Sequence, residues 1–82
     1  MSKLLLALFD SKAEEFFAPF LVPTLGMAYR NLQDEIKRGG EGNILSSHPE
    51  DFILYRLGTY DTETGDIVVA REMVCKLSSL VE

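Results

Sequence analysis

The chain has 82 residues, with 13 acidic and 8 basic side chains and a net charge of −5. One cysteine and one histidine exclude an internal disulfide and a structural zinc site. The acidic balance argues against a protein whose affinity comes chiefly from neutralising phosphates, though not against a local site that stacks single-stranded bases.

Length fixes the scale. Residues 1–82 make one small domain, near the lower limit at which a single core is self-sufficient, so self-association is the expected supplement. The opening MSKLLLALF imitates a secretory leader, but its apolar run stops at Phe9, where Asp10 follows in place of a cleavage signal. That run is also far short of a membrane span. The reading is a soluble intracellular protein with no membrane role, and its free Cys75 suits a reducing cytoplasm.

Residues 4–9 form an apolar run that predicts a central strand. Leu4, Leu6 and Leu8 fall on one face and Leu5, Ala7 and Phe9 on the other. A sheet covered by a helix on one side needs only one apolar set, so the second set predicts a homodimer or a binding surface. Residues 10–15 are a polar connection of hairpin length. Residues 16–22, FFAPFLV, read as a second strand, with Pro19 arguing for an edge position or a bulge. Phe16, Phe17 and Phe20 offer a base-stacking platform, but ordinary packing is the favoured explanation for aromatics at this density.

Thr24 is the N-cap of the one clear helix. Leu25, Ala28, Tyr29, Leu32 and Ile36 recur along one stripe, and Arg30, Asn31, Gln33, Asp34, Lys37 and Arg38 occupy the other side. Asp34 is spaced to pair with Arg38, and Gly39-Gly40 ends the helix. At 1.5 Å per residue the rod is roughly 22 Å long, enough to cross a small sheet. Lys37 and Arg38 suit phosphate contact, though a solvated last turn next to the helix dipole explains them as well.

Residues 41–47 read as a flexible connection that lacks the Lys-Ser or Lys-Thr of a phosphate-binding loop. Ser47 and Glu50 have capping-box spacing around His48 and Pro49, predicting one helical turn before a strand begins near Phe52. That strand again has two apolar faces: Phe52, Leu54, Arg56 and Gly58 on one, Ile53, Tyr55, Leu57 and Thr59 on the other. Residues 61–66 form a turn with Gly65 in a left-handed conformation, and residues 67–70 return as a strand. Core residues are expected within 4–70. The tail, 71–82, fits either a short helix with Met73, Leu77, Leu80 and Val81 on one face or an extended docking arm.

Three groups were weighed as sites. His48 with Glu50 and Asp51 has the chemistry of a metal ligand or general base, but no second histidine or suitable cysteine completes it and a capped turn explains it. Asp61, Glu63 and Asp66 fail the calcium-loop pattern, because Gly65 stands one position early. Arg56 beside Tyr55 and Tyr60 offers charge and stacking to a single strand, against the blander reading of cross-strand packing.

Residues 48–65, HPEDFILYRLGTYDTETG, resemble a segment of the nonstructural protein family of gokushovirus-type microviruses, small phages with circular single-stranded DNA genomes. The resemblance rests on His48-Pro49-Glu50-Asp51-Phe52, Leu54-Tyr55, Leu57-Gly58, Asp61 and Gly65. Upstream, Asp10, Pro19-Phe20, Ala28 and Arg30 add to it. It spans residues 4–69, and the glycines at 39–42 and the tail depart from it. The resemblance implies a non-enzymatic factor without catalytic residues or cofactors, working in the cytoplasm of the infected bacterial host in DNA replication or packaging.

The combined expectation is an α+β domain in ββαββ order, its antiparallel sheet covered on one face by a single helix and dimeric through the other. Its expected activity is binding of single-stranded DNA through Lys12, Arg30, Lys37, Arg38, Tyr55 and Arg56. The alternative is a protein–protein adaptor that contacts the replication initiator or the procapsid and never touches DNA.

Overall fold

The apolar run near the N-terminus becomes β1 (Ser2–Asp10), which lies inside the sheet with partners on both sides. The structure is a computed structural model and describes residues 1–81. After a tight turn come β2 (Glu15–Phe16) and β3 (Phe20–Val22), which share one side of β1. The single strand expected over 16–22 is thus two short ones. Pro19 has no amide hydrogen to give the ladder, and past the Phe17 N–H, which donates to the Leu8 carbonyl at 2.8 Å, the chain leaves the pairing until Phe20.

Helix α1 (Leu25–Arg38) begins as expected, with the Thr24 hydroxyl accepting from the Met27 N–H at 3.2 Å. Ala28, Leu32 and Ile36 are its buried stripe, and Gly39 is its C-cap. Arg38 pairs with Glu35, not with Asp34.

The connection expected to be flexible contains one more helical turn, α2 (Ile44–Ser47). Asn43 builds it. Its side-chain oxygen accepts from the Ser46 N–H at 3.2 Å, while its amide donates to the carbonyls of Glu35 (3.0 Å) and Gly39 (3.1 Å). One side chain therefore caps α2 and satisfies orphan carbonyls at the end of α1. Ser47 does not cap the next turn, a 3₁₀ segment over Pro49–Asp51; its hydroxyl donates back to the Asn43 carbonyl.

Strand β4 (Phe52–Asp61) then pairs with the remaining side of β1, and β5 (Ile67–Lys76) pairs with the far side of β4. The result is an open, antiparallel, five-stranded sheet in the order β2-β1-β4-β5, with β3 also on β1. The return strand runs six residues beyond the expected 67–70, to Lys76. No helix forms with Met73 on its face; a 3₁₀ turn over Leu77–Leu80 follows.

The core lies between α1 and one face of the sheet. Leu6, Leu8, Val22, Ala28, Leu32, Ile36, Phe52 and Leu54 form it, and Leu77 from the tail is completely buried among them. The core thus extends past the expected limit at residue 70. Each fully buried leucine contributes about 1.5–3 kcal/mol relative to exposure.

The ladder is irregular where Leu5/Leu6 meet Gly58 and Arg56, leaving Leu57 unopposed, and the pairing with β5 shifts at the same place. Gly58 sits there with φ 156°, and a Cβ on it would lie 2.0 Å from the Val68 carbonyl oxygen. Gly65 (φ 80°) closes the 61–66 turn as expected, its N–H donating to the Asp61 carbonyl at 2.8 Å.

Candidate nucleic-acid interface

In an antiparallel ladder, directly opposed residues point to the same face. The pairings Leu6↔Phe20, Leu8↔Leu54 and Leu4↔Val22 define the face beneath α1. The opposite face is built from Lys3↔Tyr60, Ala7↔Tyr55, Phe9↔Phe16, Phe9↔Ile53 and Leu5↔Leu21, extended onto β5 by Tyr55↔Met73 and Ile53↔Lys76. Among the described residues no helix covers this side. The face stays open.

Three of its aromatics form a cluster. Phe9 and Phe16 have ring centroids 4.8 Å apart, Phe16 and Tyr55 5.3 Å in an edge-to-face arrangement, and Phe9 and Tyr55 6.1 Å. Such pairs stabilise by about 0.5–1.5 kcal/mol beyond their burial, so the rings are fixed in place rather than loosely displayed. Phe16 keeps 40% of its surface exposed.

The charge on this face differs from that of the whole chain. Lys3 and Lys76 belong to it by pairing, and Arg71 by alternation between Val69 and Met73. None of its paired positions among the described residues is a carboxylate. Asp10, Glu15, Asp61 and Glu72 pair with residues of the helix-covered face, and Glu63 and Asp66 lie in the turn at one end. An acidic protein thus presents one side that is aromatic, apolar and cationic.

Of the six residues expected to contact nucleic acid, strand pairing places Tyr55 on this face. Tyr55 lies in the aromatic cluster, and Lys12 occupies the exposed turn at that end of the sheet. The Lys12 N–H donates to the Asp10 carboxylate at 2.9 Å, and that carboxylate also accepts from Ala13. Arg30, Lys37 and Arg38 are exposed on α1, on the other layer. Arg56 pairs with Leu6, so it points to the helix side, where its guanidinium lies 3.6 Å from Glu72. Its buried Nε has no hydrogen-bond partner among the described residues.

Sequence reasoning missed Phe9, Lys3, Arg71 and Lys76. Phe9 was legible as part of the second apolar set of its strand. Lys76 was not, because a return strand ending at 70 never reaches it.

The remaining candidates are weaker. His48, Glu50 and Asp51 bring ligand atoms within 4.8 Å of one another, with the His48 ring nitrogen 3.8 Å from Glu50. The histidine and Glu50 are both more than half exposed, an arrangement common on surfaces that hold no ion. The Asp61 carboxylate accepts from the Glu63 N–H at 2.8 Å and the Thr64 N–H at 3.4 Å. The Glu63 bond above all holds its pKa below the usual aspartate range; desolvation opposes it, and the Thr64 bond and the N-terminal ammonium add to the lowering. This carboxylate organises a turn. A cleft of about 440 Å³ lies between the end of α1 and α2, lined by Glu35, Arg38, Glu41 and Asn43 among others. Two carboxylates against one arginine already paired with Glu35 make it a poor cradle for phosphate.

Among the described residues no helix is long and apolar enough to cross a membrane. A protein-family model described as Phage ORF5 protein matches residues 3–80. No curated protein and no solved structure matches the chain.

Proposed function

Because the chain belongs to the Phage ORF5 protein family, we propose that it is a non-enzymatic accessory protein of gokushovirus-type phages. In this reading it binds single-stranded DNA during genome replication or packaging, in the cytoplasm of the infected host. The observation that carries the reading is the carboxylate-free open face, with its Phe9–Phe16–Tyr55 cluster and the cations Lys3, Arg71 and Lys76. A single strand can splay its bases onto such a surface, whereas a duplex keeps its bases stacked inside and offers a flat sheet little but phosphate.

The chemistry sets the magnitudes. Three cations neutralise at most three phosphates, so the logarithm of affinity falls with the logarithm of salt at a slope no steeper than about −2 for single strands. Stacking supplies most of the affinity, at about 1–3 kcal/mol per base, or roughly 5- to 150-fold per lost aromatic platform. Fluorescence anisotropy with labelled single-stranded and duplex oligonucleotides across a salt series tests this. Preference for the single strand, a shallow salt slope and loss of affinity in Tyr55→Ala are expected; absence of single-strand binding at low salt overturns the reading.

A second reading has its own support. Leu21 (42% exposed) and Met73 (55% exposed) give the same face more aliphatic surface than base stacking requires. A protein–protein adaptor docking on the replication initiator or the procapsid would bury them. Such an adaptor binds its partner with unchanged affinity in the absence of DNA.

A further inference from the structure

A sheet edge leaves a row of backbone N–H and C=O groups unpaired. It attracts another strand unless it is short, broken by proline or guarded by charge. The two edges of this sheet are unequal. On one, β2 and β3 have two and three residues, with Pro19 in the gap between them. On the other, β5 runs for ten residues without proline, and its first four side chains are Ile67, Val68, Val69 and Ala70. Cover is missing there too. Val68 pairs with Thr59 on the helix side yet is 63% exposed, and Val69, on the open side, is 81% exposed.

We infer that this half of β5 is a self-association edge, where two copies of the chain pair antiparallel about a two-fold axis. Charge selects both the occupant and the position. A two-fold centred at Val68 sets Val68 against Val68 and Ile67 against Val69, whereas a centre at Arg71 or Glu72 opposes like charges. A face-to-face dimer through the open side brings Lys3, Arg71 and Lys76 against a second set of the same cations, with no carboxylate among the paired positions to neutralise them. Having one attractive edge and one blunted edge, the chain closes as a pair instead of growing into a filament.

The edge dimer keeps both open faces free and aligns them on the same side of one continuous sheet. For the single-strand-binding reading, on which only this consequence rests, the platform doubles in length. The interface is small. One strand pair with its flanking side chains buries less than the ~800 Å² per partner of a standard stable complex, so a weak, concentration-dependent dimer is expected.

Sedimentation equilibrium of the full chain from micromolar to near-millimolar concentration, together with hydrogen exchange at both ends of that range, tests the inference. The expected result is a monomer–dimer equilibrium in which the amides of residues 67–72 gain protection with concentration. Val68→Glu, which leaves the open face untouched, is expected to raise the dissociation constant at least tenfold while keeping the wild-type circular dichroism spectrum. Phe16→Ala is expected to keep the dimer and lose single-strand affinity, which separates failure of the DNA reading from failure of this one. A monomer throughout the range, or a dimer that Val68→Glu leaves unchanged and whose new protection falls outside β5, overturns the inference.

Discussion

Gly58→Ala adds one methyl group at a point where β4 has no room for it. The new Cβ lies 2.0 Å from the Val68 carbonyl oxygen and about 3 Å from the carbonyl carbon, and both belong to the backbone of β5. No rotamer change relieves such a contact. The backbone angle compounds it, because φ 156° lies in a region that residues with a Cβ occupy at a cost of about 1–3 kcal/mol. Moving β5 away sacrifices the adjoining pairs Gly58↔Val69 and Thr59↔Val68, whose hydrogen bonds contribute about 0.5–1.5 kcal/mol each. The sum is about 2–6 kcal/mol, set against a total stability of roughly 4–12 kcal/mol for a chain of this length. Urea unfolding followed by far-ultraviolet circular dichroism measures it, since the chain has no tryptophan. Gly65→Ala is the control: its φ of 80° carries strain, but no atom lies within 4 Å of the added methyl, so a loss near 1 kcal/mol is expected. A Gly58→Ala protein within 0.5 kcal/mol of wild type, or no worse than Gly65→Ala, refutes the register drawn for the hairpin.

Leu77→Ala removes a fully buried side chain supplied by the tail and is expected to cost 2–5 kcal/mol in the same assay; a change under 1 kcal/mol would mean that the 3₁₀ turn is not docked. For Asp61 the depressed pKa means that the ionised carboxylate favours the folded turn. Its stabilisation is complete above the unfolded-state pKa and disappears as pH falls through the lower folded value. Carboxyl-carbon NMR should show Asp61 titrating below ordinary aspartates, and Asp61→Ala should soften the acid dependence of the hairpin; titration at or above the ordinary value contradicts the turn geometry. Lys37→Ala and Arg38→Ala, on the layer opposite the open face, are expected to change single-strand affinity less than twofold, while Lys76→Ala weakens it and flattens the salt slope by about 0.7. The reverse ranking would move the interface onto α1.

The helix was legible because its signals agree: a capping threonine, a single apolar stripe and a glycine stop all mark the same boundaries. The two-faced character of residues 4–9 and 52–56 was legible too, since alternation alone reveals it; past the bulge at Leu57, Gly58 pairs with Leu5 and Thr59 with Leu4, which reverses the faces that alternation gives them. What sequence reading lacked was register. Alternation sets the adjacent Tyr55 and Arg56 on opposite faces, but the pairing of Arg56 with Leu6 is what reveals that its face is the one beneath α1. In the tail, Met73, Leu77, Leu80 and Val81 match a helical period by coincidence; pairing with β4 overrides that local pattern through Lys76, and burial of Leu77 then fixes the turn. Asn43 went unrecognised because two of its hydrogen bonds reach back to a helix end that only the folded chain places beside it.

The position of β1 also governs how the protein is made. Its longest partner, β4, lies some fifty residues downstream, so the pairing that closes the sheet is almost entirely non-local. Closing a loop of that length precedes any reward from the contacts, which slows folding relative to a helical protein of equal size. During synthesis LLLALF is made well before the strand that completes its shelter, which begins at Phe52. For that interval the nascent chain exposes an apolar, uncharged, proline-free hexapeptide with the composition of an aggregation nucleus. Yield in a host cell should therefore depend on translation rate and chaperone supply more steeply than on equilibrium stability. Replacing solvent-side Leu5 with threonine should raise soluble yield with little effect on the core beneath α1.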